Sequence, residues 1–240
     1  MSTVNPLSFH WQDLSALIIP RMGVCRPYLV GITGGVGVGK STFARQCASY
    51  WLRTFSNMRV GLMATDGYIY PNAQLVTQQQ MSRKGFPESY DVDALSRDLQ
   101  AIQRRVDGVR VPIYAHDRYD RVEGAFVLID TPDVLLVEGL PVDQKVRDML
   151  DFSVYIDAPL SAMHAWYVAR SLRYRADAQQ GACAGAHFAR LADRNVHDAL
   201  AHIEYLWSNV NQENWKQHIA PFRAQADVVV HKNADHSVFL

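Results

Sequence analysis

One stretch near the start, GITGGVGVGKSTFAR (31–45), constrains this chain more than any other. It contains Gly34-x-x-x-x-Gly39-Lys40-Ser41, the full phosphate-loop pattern, set between an apolar run and a helix-like segment as that pattern requires. Such a loop needs a buried strand to launch it and a helix to receive it. Backbone N–H groups across Gly34, Gly35, Val36, Gly37, Val38 and Gly39 can then turn inward on phosphates, and the helix N-terminus adds its dipole. Lys40 is suited to reach the β- and γ-phosphates and the Ser41 hydroxyl to hold Mg²⁺, while Thr42 ends the nucleotide-binding stretch. A dinucleotide fingerprint has no use for Lys-Ser here, so the motif predicts a nucleoside triphosphate site.

The remaining organisation suits that loop. YLVGIT (28–33), VGLMAT (60–65), DVLLVEG (133–139), FSVYIDAP (152–159) and ADVVVHK (226–232) are continuous apolar runs, as expected of strands covered on both faces. Helices are predicted between them at 91–105, 160–175 and 193–215, the first capped by aspartate with Leu95, Leu99 and Ile102 on one stripe. Alternating strands and helices predict one three-layer α/β domain over 1–240, with a mainly parallel sheet and helices on both faces. The small, polar segment 176–188 reads as a mobile loop, part of a lid spanning about 171–190.

Composition excludes some classes. Lys+Arg and Asp+Glu both total 24, so no basic excess exists to hold nucleic acid. No apolar run approaches the ~20 residues that cross a bilayer. The N-terminus, MSTVNPLSFHWQDL, lacks the basic flank of a signal peptide. Cys25, Cys47 and Cys183 are odd in number and match no metal pattern, which predicts reduced thiols in a cytoplasmic protein.

A phosphate loop alone does not separate GTPases, motor ATPases and small-molecule kinases. No Asn-Lys-x-Asp guanine reader is present; HKNAD near the C-terminus is not one. Ligands of such sheets bind beyond the carboxyl edge, where GLMAT ends in Asp66 and DVLLVEG ends in Glu138. Asp66 in TDG reads equally as a turn aspartate or as a base for an attacking hydroxyl. Glu138 after four apolar residues suits a group that holds Mg²⁺ through its waters. Together they predict phosphoryl transfer without naming the acceptor.

ATDGYIYPN (64–72), KGFPESYD (84–91), VPIYAHDRYD (111–120), VEGL (137–140), DFSVYIDAP (151–159) and WYVAR (166–170) together resemble the prokaryotic type I pantothenate kinases, part of the phosphoribulokinase and uridine kinase group. The resemblance runs in order from about Tyr28 onward. It implies a P-loop kinase that uses ATP and Mg²⁺ to phosphorylate pantothenate. Asp66 becomes the base, with Arg170 stabilising charge on the phosphoryl group beside Lys40. Tyr114, His116, Tyr167, Tyr174, Phe188 and Asn211 become acceptor contacts. Arg45 falls where the family also binds coenzyme A as a competing inhibitor, and Lys232 and His236 fall near the adenine. A homodimer is implied by the family alone.

The chain departs from the family in four places. Only about thirty residues precede the phosphate-loop strand, and PVDQKVRDML (141–150) abbreviates the connection after VEGL. The acceptor wall has Ser171 where the family places an aromatic, and AHFARL (186–191) replaces a tyrosine-rich lid pattern, with His187 and Leu191 at tyrosine positions. A roomier pocket follows, which leaves room for a different hydroxyl acceptor (nucleoside, sugar or specialised metabolite). Retention of Lys40, Ser41, Asp66 and Glu138 argues against a third reading, a nucleotide-binding regulator without catalysis.

Overall fold

The computed structural model describes residues 9–23, 25–139, 143–182 and 185–240. The short helix α1 (Trp11–Ile18) precedes β1 (Tyr28–Gly34), the phosphate loop and α2 (Lys40–Thr54). Next come β2 (Val60–Ala64), a tight turn at Thr65–Tyr68, α3 (Asn72–Thr77) and α4 (Val92–Gln103). A hairpin of β3 (Val109–Ala115) and β4 (Asp120–Ile129) leads into β5 (Val134–Glu138), α5 (Gln144–Arg147) and β6 (Phe152–Asp157). The chain then forms α6 (Leu160–Gln179), α7 (Ala186–Ala192) and α8 (Val196–Leu206), which continues in wider turns and a short α9 (Gln212–Asn214) to Ile219. Strands β7 (Val228–Lys232) and β8 (Val238–Phe239) close the described chain.

The central sheet has the order β2-β5-β1-β6-β7-β8, parallel throughout except for β8. Every second residue of a strand faces the same way, so β1 and β5 each feed two cores. Val30, Ile32, Val134, Leu136, Val154 and Ile156 pack with α1, α2 and Met163 of α6. Leu29, Leu135, Val137 and Met63 pack on the other face with Leu75, the Leu95–Leu99–Ile102 stripe of α4, Val146 and the hairpin. Both faces are apolar because both are covered, the reason the strands read as unbroken hydrophobic runs. Asp91 caps α4 by accepting the Ala94 N–H at 2.9 Å, worth about 1 kcal/mol.

Two expectations change. Residues 176–179 are not loop: they complete α6, because the Ala-Asp-Ala-Gln run carries no helix breaker before Gly181. Residues 186–188 open α7, leaving only a short connection between two helices; Cys183 lies outside the described residues. A third, small core fills the angle, with Phe188 and Leu191 of α7 against Ala199 and Ile203 of α8 and Tyr167, Leu172 and Tyr174 of α6. The lid-like region is therefore a packed helical wall. Among the described residues no helix is long and apolar enough to cross a membrane, and Cys25 and Cys47 are free thiols.

Candidate active site

Strand β1 lies between β5 and β6, with Ile32 opposite Glu138 and Ala64 of β2 also opposite Glu138. This register brings the phosphate loop, the Asp66 turn and Glu138 to one sheet edge, at the point where the strand order reverses. Gly39 caps α2 with φ +98°, a conformation that disfavours any side chain, and thereby lets the chain turn from loop to helix. The Lys40 ammonium is folded back onto the loop, donating to the carbonyls of Gly34 and Gly35, both at 3.1 Å. Enclosure lowers its pKa, while the nearby carboxylates of Glu138 and Asp66 oppose that shift.

The Ser41 hydroxyl donates to Oε1 of Glu138 at 2.7 Å. Glu138 is pushed up chiefly by burial and then by the charge of Asp66, with Lys40 and Ser41 pulling the other way. Asp66 receives the Tyr90 hydroxyl on Oδ1 at 3.1 Å, and His116 Nε2 stands 3.7 Å from its Oδ2. Burial lowers the pKa of His116 despite that carboxylate, and raises that of Tyr114.

These groups line one cavity of about 530 Å³. Val36, Gly37, Gly39, Lys40, Ser41, Thr42 and Arg45 form its phosphate end, and Asp66, Glu138, His116 and Arg170 its middle. Tyr114, Tyr167, Tyr174, Phe188 and Asn211 wall the far end. The Arg170 guanidinium lies 6.0 Å from the Tyr167 ring, so both side chains share the inner face of α6. The Asn211 side chain donates to the Leu206 carbonyl at 3.2 Å, and its helix brings it to the same wall.

Five of the residues singled out by sequence do not line this space. Gly34 and Gly35 contribute the carbonyls that hold Lys40, and Val38 is buried with its carbonyl turned to the Lys232 ammonium at 2.8 Å. Lys232 also sits 4.6 Å from the Trp166 ring, on whose indole His236 stacks at 4.8 Å. Lys232 and His236 thus form a platform behind the phosphate loop, outside the cavity described above.

Sequence reasoning missed Lys84 and Tyr90 as wall residues, and it gave no partners for Ser171 and His187, which it had named in the acceptor wall and lid. Lys84 is buried, donating to Asn72 Oδ1 and to the Tyr119 carbonyl, with its ammonium 4.2 Å from the Tyr119 ring. Burial without a direct carboxylate partner pushes it down from 10.5 to about 8. His187 stacks on Tyr119 at 4.2 Å, and burial drives it down to about 4, so it is neutral near pH 7. Ser171, which stands in for an aromatic, ties its hydroxyl to the Tyr167 carbonyl at 2.9 Å. Lys84 and Tyr90 both sit in KGFPESYD, a motif whose diagnostic value was legible while its contacts were not.

Residues 29–193 match the Phosphoribulokinase / Uridine kinase family. A pantothenate kinase of Mesorhizobium japonicum is 42% identical over 224 residues, spanning 88% of this chain and 70% of that protein. One from Brucella abortus is 40% identical over 224 residues, spanning 88% and 69%. Among solved structures, a candidate fructose transport system kinase of Silicibacter sp. TM1040 superimposes with a TM-score of 0.71 at 21% identity, over 92% of this chain and 98% of that one. At that identity the structural match speaks to the fold alone.

Proposed function

The chain belongs to the phosphoribulokinase / uridine kinase family, among its pantothenate kinases, and from that premise we propose that it transfers the γ-phosphoryl group of ATP to the primary hydroxyl of pantothenate, the first step of coenzyme A biosynthesis. The observation that carries the reading is one continuous cavity, which joins a phosphate cradle at Lys40 and Ser41 to a carboxylate and an aromatic–polar wall.

ATP phosphates rest on the backbone of the loop, with Lys40 exchanging its carbonyl partners for phosphate oxygens. Ser41 and Glu138 offer hard oxygen donors in mutual contact, which suit Mg²⁺. Among the described residues no group of three or more His, Cys, Asp or Glu side chains forms a metal cage, so Ser41 and Glu138 are the side chains that would hold the ion. Bound there, Mg²⁺ offsets phosphate charge. Tyr114, His116, Tyr167 and Asn211 orient the acceptor, while Tyr174 and Phe188 pack against its apolar parts.

Asp66 accepts the acceptor's hydroxyl proton as the oxygen bonds to the γ-phosphorus and the bond to ADP breaks. Lys40 and Arg170 hold the charge on the transferring group. The α6–α7–α8 wall keeps water out, which prevents loss of the phosphoryl group to hydrolysis. The proposal includes Arg45 as a contact for coenzyme A acting as inhibitor, Lys232 and His236 at the adenine, a homodimer and a cytoplasmic location.

ADP release measured over a panel of alcohols tests the acceptor. Turnover with pantothenate well above that with nucleosides, sugars and glycerate is expected. Turnover with one of those and none with pantothenate overturns the reading.

A further inference from the structure

The segment KGFPESYD is held more firmly than its loop-like composition predicts, and the reason lies at Tyr90. Tyr90 pairs with Ile69 as an isolated antiparallel bridge, in which the Tyr70 N–H donates to the Ser89 carbonyl and the Asp91 N–H to the Tyr68 carbonyl, both at 2.8 Å. The strand end that carries Asp66 and the segment that carries Tyr90 are therefore laced together within a few residues of both side chains. A second tether comes from the other side: Asn214 Nδ2 donates to the Gly85 carbonyl at 2.7 Å, and the Gly85 N–H donates to Ser89 Oγ at 2.9 Å. Tyr90 is 3% exposed, so packing fixes its ring and with it the place of the hydroxyl oxygen. That hydroxyl points at Oδ1 of Asp66 at 3.1 Å.

A carboxylate that accepts a substrate proton has two oxygens and a free rotor. Here one oxygen is occupied by a fixed donor, and the other faces His116 at 3.7 Å. We propose that Tyr90 is a positioning residue for phosphoryl transfer: its hydroxyl holds Oδ1 of Asp66 and so presents Oδ2 to the acceptor hydroxyl. The inference rests on Asp66 being the proton acceptor. Burial and the Asp66 charge raise the Tyr90 pKa well above its ordinary value, so it stays a donor throughout the working pH range. The contact serves the reaction because near-attack geometry tolerates little rotation of the accepting oxygen.

Single-turnover phosphoryl transfer in Tyr90→Phe, Asp66→Asn and the double variant tests this. Tyr90→Phe keeps the ring and removes only the donor, so the transfer rate should fall about 10-fold or more, as expected for a hydrogen bond to a charged group. KM for ATP should stay within about twofold, since no phosphate contact changes. In the Asp66→Asn background the same substitution should cost nothing further. Damage to the fold would carry over into that background, so this arm separates positioning from structure even if Tyr90→Phe lowers stability. A Tyr90→Phe rate above about half of wild type, or an equal fold-loss in both backgrounds, overturns the inference. If Asp66→Asn alone collapses while Tyr90→Phe is unimpaired, only the Tyr90 role falls. An active Asp66→Asn removes the proton-acceptor assignment and the Tyr90 role with it.

Discussion

Replacing Lys84 by methionine should remove a pH dependence of stability that the wild-type chain carries above neutrality. The ammonium is buried against Asn72 Oδ1 and the Tyr119 carbonyl, and its pKa falls from 10.5 in the open chain to about 8 when folded. Between those values the unfolded chain binds a proton that the folded chain has lost, so stability rises with pH across this window. The penalty for burying the charge is complete below pH 8 and is released as pH climbs through it. Linkage with those two values gives about 1.4 kcal/mol gained by pH 9 relative to pH 6. The buried Cys47 thiol and Tyr90 hydroxyl, both pushed up, act oppositely at high pH, but they do so equally in wild type and variant. Subtracting the Lys84→Met curve therefore isolates the lysine. Urea unfolding followed by tryptophan fluorescence at pH 6, 7, 8 and 9, at fixed ionic strength, measures the difference. The stability of wild type minus that of Lys84→Met should grow by about 1 kcal/mol or more over this range, whatever its offset at pH 6. A difference that stays flat within about 0.3 kcal/mol, or shrinks, refutes the argument.

Three further outcomes follow from other contacts. Asp66→Asn should lower kcat by ~10²–10⁴-fold with KM for ATP nearly unchanged, and a variant keeping more than about a tenth of wild-type kcat removes Asp66 as base. A Cβ on Gly67 would come within 2.0 Å of the Pro112 carbonyl oxygen, so Gly67→Ala should lower the melting midpoint and shift the hairpin that carries Tyr114; an unchanged midpoint and KM would show that β3 yields at no cost. His187 is driven down to about 4 by burial, so between its ordinary 6.5 and that value only the unfolded chain takes up the proton, and stability falls as pH drops. His187→Phe should flatten that acid loss in unfolding curves between pH 7 and pH 5, and an identical slope in both proteins contradicts it.

Much of the nucleotide end was legible because it is local. The cradle is one contiguous stretch, and strand ends in a parallel sheet meet at one edge whatever the helices between them do. Asp66 and Glu138 could therefore be placed from position alone. The hairpin was half visible: VPIYAHDRYD pointed to Tyr114 and His116, which the structure places at the end of β3 and in the turn just after it, but β4 was not anticipated, since Phe126, Val127 and Leu128 are all exposed and show no two-residue alternation. The length of α6 was misjudged because the small, polar composition of 176–179 was read as loop, although alanine and glutamine favour helix and no breaker precedes Gly181.

By itself the sequence determined the layer architecture, the phosphate cradle and the two acidic strand ends, because each depends on short-range pattern: apolar runs for covered strands, glycines for inward N–H groups, one residue type at one strand end. The tertiary structure alone decided the acceptor end. Lys84 and Tyr90 from one motif meet His187 and Asn214 from segments far along the chain, and burial, which no local pattern reveals, sets their partners and the protonation of Lys84 and His187. A lysine in a polar loop and a lysine sealed beneath two tyrosines read the same in sequence; only the fold removes the water.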